Sequence, residues 1–196
     1  MKALSARAAV LRLQWMTLAW MILEFGMALA SGLKAKSIAL LAFGGDSAIE
    51  LLSAAIVLRR FYLGEHEEDR TARRAAALLS LLAVFIVVSS MAALAGVVPH
   101  ARPSWAGMAL LAASAAVMPW LGRKKRALAA KAGSASLRAD AAQSSVCGSL
   151  AWIALAGLVL NALWGLAWAD SAAALLLVPL VLVEARETRR GKCCCG

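Results

Sequence analysis

The chain has 196 residues, 62% of them hydrophobic and only 16% charged, and its mean hydropathy of +0.75 is too high for a soluble domain that must clothe its surface in polar groups. Its 21 Lys and Arg against 11 Asp and Glu give a net charge of +10. Nucleic acid is not the expected partner of that charge, because the basic residues sit at the ends of apolar runs, where anionic lipid headgroups meet them, and not on a folded soluble face.

Six apolar runs follow in chain order, at residues 13–30, 37–58, 75–98, 105–121, 141–163 and 166–183. Each is close to the roughly 20 residues that cross hydrocarbon as a helix. Lipid offers the backbone no hydrogen-bond partner, so a span must be a helix or part of a closed barrel; the Ala- and Leu-rich runs lack the period-two alternation of a barrel. The breaks carry Lys34 and Lys36, a block from Arg59 to Arg74, Pro99 to Pro103, a segment from Gly122 to Arg138, and a short interruption at Gly165. The prediction is an all-α membrane protein, a six-helix transmembrane bundle. It forms one domain over residues 1–196, in which 184–196 are a short basic tail ending in cysteines.

With the N-terminus inside, 18 of the 21 Lys and Arg fall on the cytoplasmic side, leaving Lys34, Lys36 and Arg102 outside. The positive-inside rule therefore puts both termini in the cytoplasm. The first run also imitates a secretory signal, with small residues at Ala28 and Ala30, but it is long for one and contains Glu24.

Ionisable groups at membrane depth cost roughly 2.5 kcal/mol or more each, so they face a cavity or a partner. In the second run Asp46 and Glu50, four residues apart, share one helix face. They call for a shared proton, a bound cation or a salt bridge; no Lys or Arg lies inside any run, which argues against the last. In the fifth run Asp140, Gln143 and Cys147 form one stripe, with Ser144 at its border. Carboxylate, amide oxygen and thiolate together suit a borderline or soft divalent ion, although a lone membrane Cys also serves as a small packing group. Glu24 either handles protons or orients another helix. Asp170, in the first turn of the last run, is placed to cap a helix N-terminus.

The runs SIALLAFGGDSAIELLSAAIVL, LRADAAQSSVCGSLAWIAL and WADSAAALLLVPLVL resemble the membrane domain of the cation diffusion facilitator family, in a short form lacking the cytoplasmic C-terminal domain. The resemblance spans about Glu24 to Glu184. It implies six spans with both ends inside, a homodimer, and export of zinc or a related ion in exchange for protons; the plain six-span pattern without an organelle signal suits a plasma membrane such as a bacterial inner membrane. The resemblance places the metal site at Asp46, Glu50, Gln143 and Cys147; the buried acids Glu24 and Asp140 are candidate accessory groups. The family pattern has His or Asp at the Gln143 position and Asp at the Cys147 position. The exchange of an imidazole and a carboxylate for an amide and a thiol points to a softer ion such as cadmium or lead.

The tail residues Cys193, Cys194 and Cys195 either collect a soft metal, carry acyl chains or are dispensable; adjacent cysteines lack the spacing of a tetrahedral zinc site. The acidic GEHEEDR segment, Gly64 to Arg70, reads as a solvated linker or as an attractor of cations. Both histidines, His66 and His100, lie in loops, so no enzymatic constellation and no required cofactor are expected. Two functions follow: proton-coupled efflux of a divalent heavy metal, or a non-transporting metal-binding or regulatory protein on a decayed transporter scaffold.

Overall fold

Runs of Leu, Ala, Val and Ile in hydrocarbon can satisfy their amides only within the segment, and each becomes a helix. The computed structural model describes residues 2–63, 68–132 and 135–190. They form α1 (Lys2–Ala35), α2 (Ile38–Leu63), α3 (Glu68–Leu94), α4 (Trp105–Ala132), α5 (Ala135–Trp164) and α6 (Trp168–Arg190). Among the described residues there is no strand.

At the basic end of the bundle all six helices run beyond the predicted spans. Charges end an apolar run without ending a helix, because Ala, Arg, Lys and Glu are strong helix formers and long cationic side chains reach water from a helix surface. The segment Gly122 to Arg138, predicted as a connection, thus consists mostly of the end of α4 and the start of α5. The tail predicted from residue 184 likewise begins as helix, since α6 continues to Arg190.

The opposite end is closed by tight caps. Gly96, at φ 73°, lets α3 stop in a Schellman motif, with the Val97 amide donating to Ala92 O at 2.9 Å and the Gly96 amide to Ala93 O at 3.1 Å. Lys36, at φ 54°, closes α1 in the same way through Ser37 N to Gly32 O at 3.0 Å. Ser37 then N-caps α2, its hydroxyl accepting the Leu40 amide at 3.1 Å. Asp170 reaches this turn from α6. It accepts Ser37 Oγ at 2.5 Å, Ile38 N at 2.8 Å and Ala39 N at 3.4 Å, so the helix it caps is α2.

Helix α2 is the hub, packing against α1, α3, α5 and α6; α4 lies along α5 and α1, and α3 packs chiefly on α6. Glycines permit close approach of α4 and α5, where Gly148 abuts the Pro119 ring. Large apolar side chains point outward: Ile22, Leu33, Leu81, Val84, Val88, Leu163 and Leu176 are each at least 60% exposed. Gln14, Glu24, Asp46, Glu50, Lys125, Ser144 and Asp170 are buried instead. So large an apolar exterior around a polar interior identifies lipid as the solvent. Helices α1, α3, α4, α5 and α6 each contain a stretch long and apolar enough to cross a membrane, and α2 runs among them with its two acids turned inward. Trp105, Trp164 and Trp168 ring the end opposite the basic one, as interfacial tryptophans do.

Candidate functional site

Three helices set the heights of the site. On α5 the stripe Asp140, Ser144 and Cys147 climbs about 10 Å from the basic end at 1.5 Å per residue. On α2 Glu50 and Asp46 stand one turn apart, Glu50 nearer the basic end. On α1 Gln14 and Glu24 bracket the same depth. All seven side chains are buried, none more than 3% exposed.

At the basic end lies an ion pair. Lys125 Nζ is 3.0 Å from Asp140 Oδ2, with both side chains at most 1% exposed. Gln14 Nε2 donates to the same oxygen at 2.9 Å. Lys125 also donates to Ser144 Oγ at 2.8 Å, and Ser144 Oγ donates to Glu50 Oε1 at 2.6 Å. A hydroxyl can do both at once, so the charge of Lys125 is relayed to Glu50. The expectation that no cation sits among the buried acids is therefore overturned: Lys125, placed in a connecting segment by hydropathy, is on the inner face of α4. Asp140, expected as an accessory metal group, is held by this ammonium.

Deeper in the bundle Glu24 is saturated. Its Oε1 accepts Ser47 Oγ at 2.8 Å and the Cys147 thiol at 3.5 Å; its Oε2 accepts Ser114 Oγ at 2.8 Å and Trp20 Nε1 at 2.5 Å. Glu24 thereby binds α1 to α2, α4 and α5. Of the two roles expected for it, orientation of neighbouring helices is the one these bonds perform. Cys147 is buried on this node, near Glu50 and Asp46 as well.

Beside Ser47 of this deeper layer sits Asp46, 1% exposed. Among the described residues no donor reaches either of its oxygens, nor Oε2 of Glu50. Its charged neighbours are Glu184, Glu50 and Glu24. Glu184, on α6, is 6% exposed and also meets no donor among the described residues. Gln143 is half-buried beside Glu184 without hydrogen-bonding geometry to it. The structure thus brings Asp46, Glu50 and Cys147 together, sets Gln143 at their edge and adds Glu184. As the side chains stand, no three His, Cys, Asp or Glu are arranged to hold a metal among the described residues. Cys193, Cys194, Cys195 and His66 lie outside the described residues.

Lys125 and Glu184 escaped the sequence reading, though helical phase marks both. Met118, Leu121, Gly122, Lys125 and Ala129 follow one inner stripe of α4; Ala174, Leu177, Val181, Glu184 and Ala185 follow that of α6. Extending each helix beyond its apolar run places both ionisable groups inside.

A buried carboxylate normally has its hydrogen bonds, and exceptions are few. Asp46 and Glu184, facing each other without donors, form a place where positive charge is favoured and a proton or a cation can supply it. No protein-family model matches this chain, and no curated protein matches it.

Proposed function

We propose that this chain exports a divalent heavy-metal cation across a plasma membrane in exchange for protons, with both termini cytoplasmic and two copies forming the unit. The observation that carries this reading is Asp46, buried at the heart of the bundle with both oxygens lacking donors among the described residues, beside Glu50 and Cys147. A membrane protein that keeps such a group has a use for it.

The cation is the substrate. Asp46 and Glu50 supply charge, Cys147 adds a soft donor once deprotonated, and Gln143 adds an amide oxygen as the side chains close on the ion. Metal and protons compete for the same carboxylates, so protons arriving from outside displace the metal there. The Cys147 thiol favours cadmium or lead over zinc. Rocking of helices around this midplane site exposes it to each side in turn.

Lys125 supports a second reading. A tethered ammonium that already serves Asp140 and Glu50 partly replaces a mobile cation, as expected of a non-transporting, metal-binding or regulatory protein. Flux of Zn²⁺, Cd²⁺ and Pb²⁺ into vesicles containing the purified chain separates the two. The carrier reading expects uptake that Asp46→Asn and Glu50→Gln abolish; no uptake of any of the three, or uptake unchanged in both variants, overturns it.

A further inference from the structure

The cation reading leaves α5 short of charge, since Gln143 is neutral. Helix α6 makes up the deficit. Glu184 occupies an inner position of that helix, one turn beyond Val181, where a hydrophobic residue would complete the core. It is 6% exposed, stands against Asp46 and Gln143, and has neither oxygen on a donor among the described residues. Glu50 is differently placed. Its Oε1 already accepts Ser144 Oγ at 2.6 Å, and Lys125 answers its charge. Among the described residues, the carboxylate pair with no donor on any oxygen is therefore Asp46 with Glu184, across the α2–α6 contact.

We propose that Glu184 is a further direct carboxylate ligand of the transported divalent cation, joining Asp46 from across the α2–α6 contact. The inference rests on the cation reading of Asp46 and adds a helix to the site. Glu184 thereby adds a carboxylate on α6 to the Asp46, Glu50 and Cys147 of the site proposed above, in place of the charge that the neutral Gln143 does not supply. It also ties α6, and through it α3, to the occupancy of the site. If instead the two acids merely share a proton, Glu184 contributes nothing to metal affinity.

The test is equilibrium binding of radioactive Cd²⁺ to the purified full chain in detergent micelles. Wild type binds, Asp46→Asn loses binding, and Glu184→Gln weakens it at least about tenfold, while Glu184→Asp retains more of it than Glu184→Gln. Tryptophan fluorescence checks that each variant is folded. A measurement on wild type needs no substitution: labelling of buried carboxyls by a hydrophobic carbodiimide, mapped by mass spectrometry, is blocked by Cd²⁺ at Glu184 as well as at Asp46. Wild-type affinity in Glu184→Gln with binding lost in Asp46→Asn, or protection of Asp46 without Glu184, overturns the role of Glu184 and leaves the cation reading standing. A wild-type chain that binds no Cd²⁺ overturns the cation reading, and this inference with it.

Discussion

Replacing Lys125 by Met keeps most of the side chain's length and removes its charge. At 3.0 Å from Asp140 Oδ2, and with an effective dielectric of about 20, the lost attraction is about 5.5 kcal/mol before the lost hydration of either ion is counted. Desolvation offsets much of that, so the pair as a whole adds little. Breaking it from one side is different, because Asp140 is then left buried with only the Gln14 amide, and the Ser144 hydroxyl loses its donor. The expected cost of Lys125→Met is about 3–5 kcal/mol, and of Asp140→Asn a similar amount. The double variant carries neither charge and costs less than the two singles together, with a coupling of about 2 kcal/mol or more. Reversible unfolding in mixed SDS and nonionic micelles measures all four corners of this cycle. Additive singles, or a Lys125→Met variant as stable as wild type, would show that the ammonium is in water and not inside the bundle.

Five other substitutions probe the remaining layers by the same unfolding assay. Asp170→Ala leaves the Ser37 hydroxyl and the Ile38 amide without an acceptor at the α1–α2 turn; a loss of about 1–3 kcal/mol is expected, and one below about 0.5 kcal/mol refutes the cap. Gly148→Ala puts a Cβ 2.8 Å from Cδ and Cγ of Pro119, a ring that cannot rotate away. A cost of about 1–3 kcal/mol is expected, whereas Gly26→Ala, with nothing within 4 Å, is neutral or stabilising; equal effects at the two sites contradict the packing described. Glu24→Gln turns an acceptor of four hydrogen bonds into a group whose amide hydrogens face donors, and loses about 1–3 kcal/mol. Asp46→Asn, by contrast, replaces a buried acid that lacks donors among the described residues by a neutral side chain of the same shape and leaves stability unchanged or higher.

The six helices were legible because hydropathy is a property of a run, and lipid makes each run fold on its own account. Their lengths at the basic end were not, because Arg123, Lys124, Lys125 and Arg126 end the apolar signal while favouring helix. Within that block three side chains are exposed and Lys125 alone is buried. Charge composition cannot separate them; only the phase of a continuous helix can. Asp46 with Glu50, and Asp140 with Cys147, could be grouped from sequence because spacing on a helix fixes a shared face; joining the two faces was an expectation of the family resemblance. Which helix that face meets is a tertiary fact, so the Asp46–Glu184 pair and the junction of Glu24 with Ser47, Ser114 and Cys147 required the packing. Asp170 shows the same limit. Its aptitude for capping was readable, but its target, the start of α2, lies 132 residues away at Ile38.

The central claim is that the acids at the α2–α5 contact carry a metal ion one way and protons the other. It is tested most directly by vesicles containing the purified chain and loaded with both a metal-sensitive and a pH-sensitive dye. Imposing a Cd²⁺ gradient on wild-type vesicles should move Cd²⁺ down it and protons in the opposite direction, and Asp46→Asn should silence both signals. Cd²⁺ movement that leaves the pH signal flat contradicts the exchange, and movement that persists in Asp46→Asn contradicts the site.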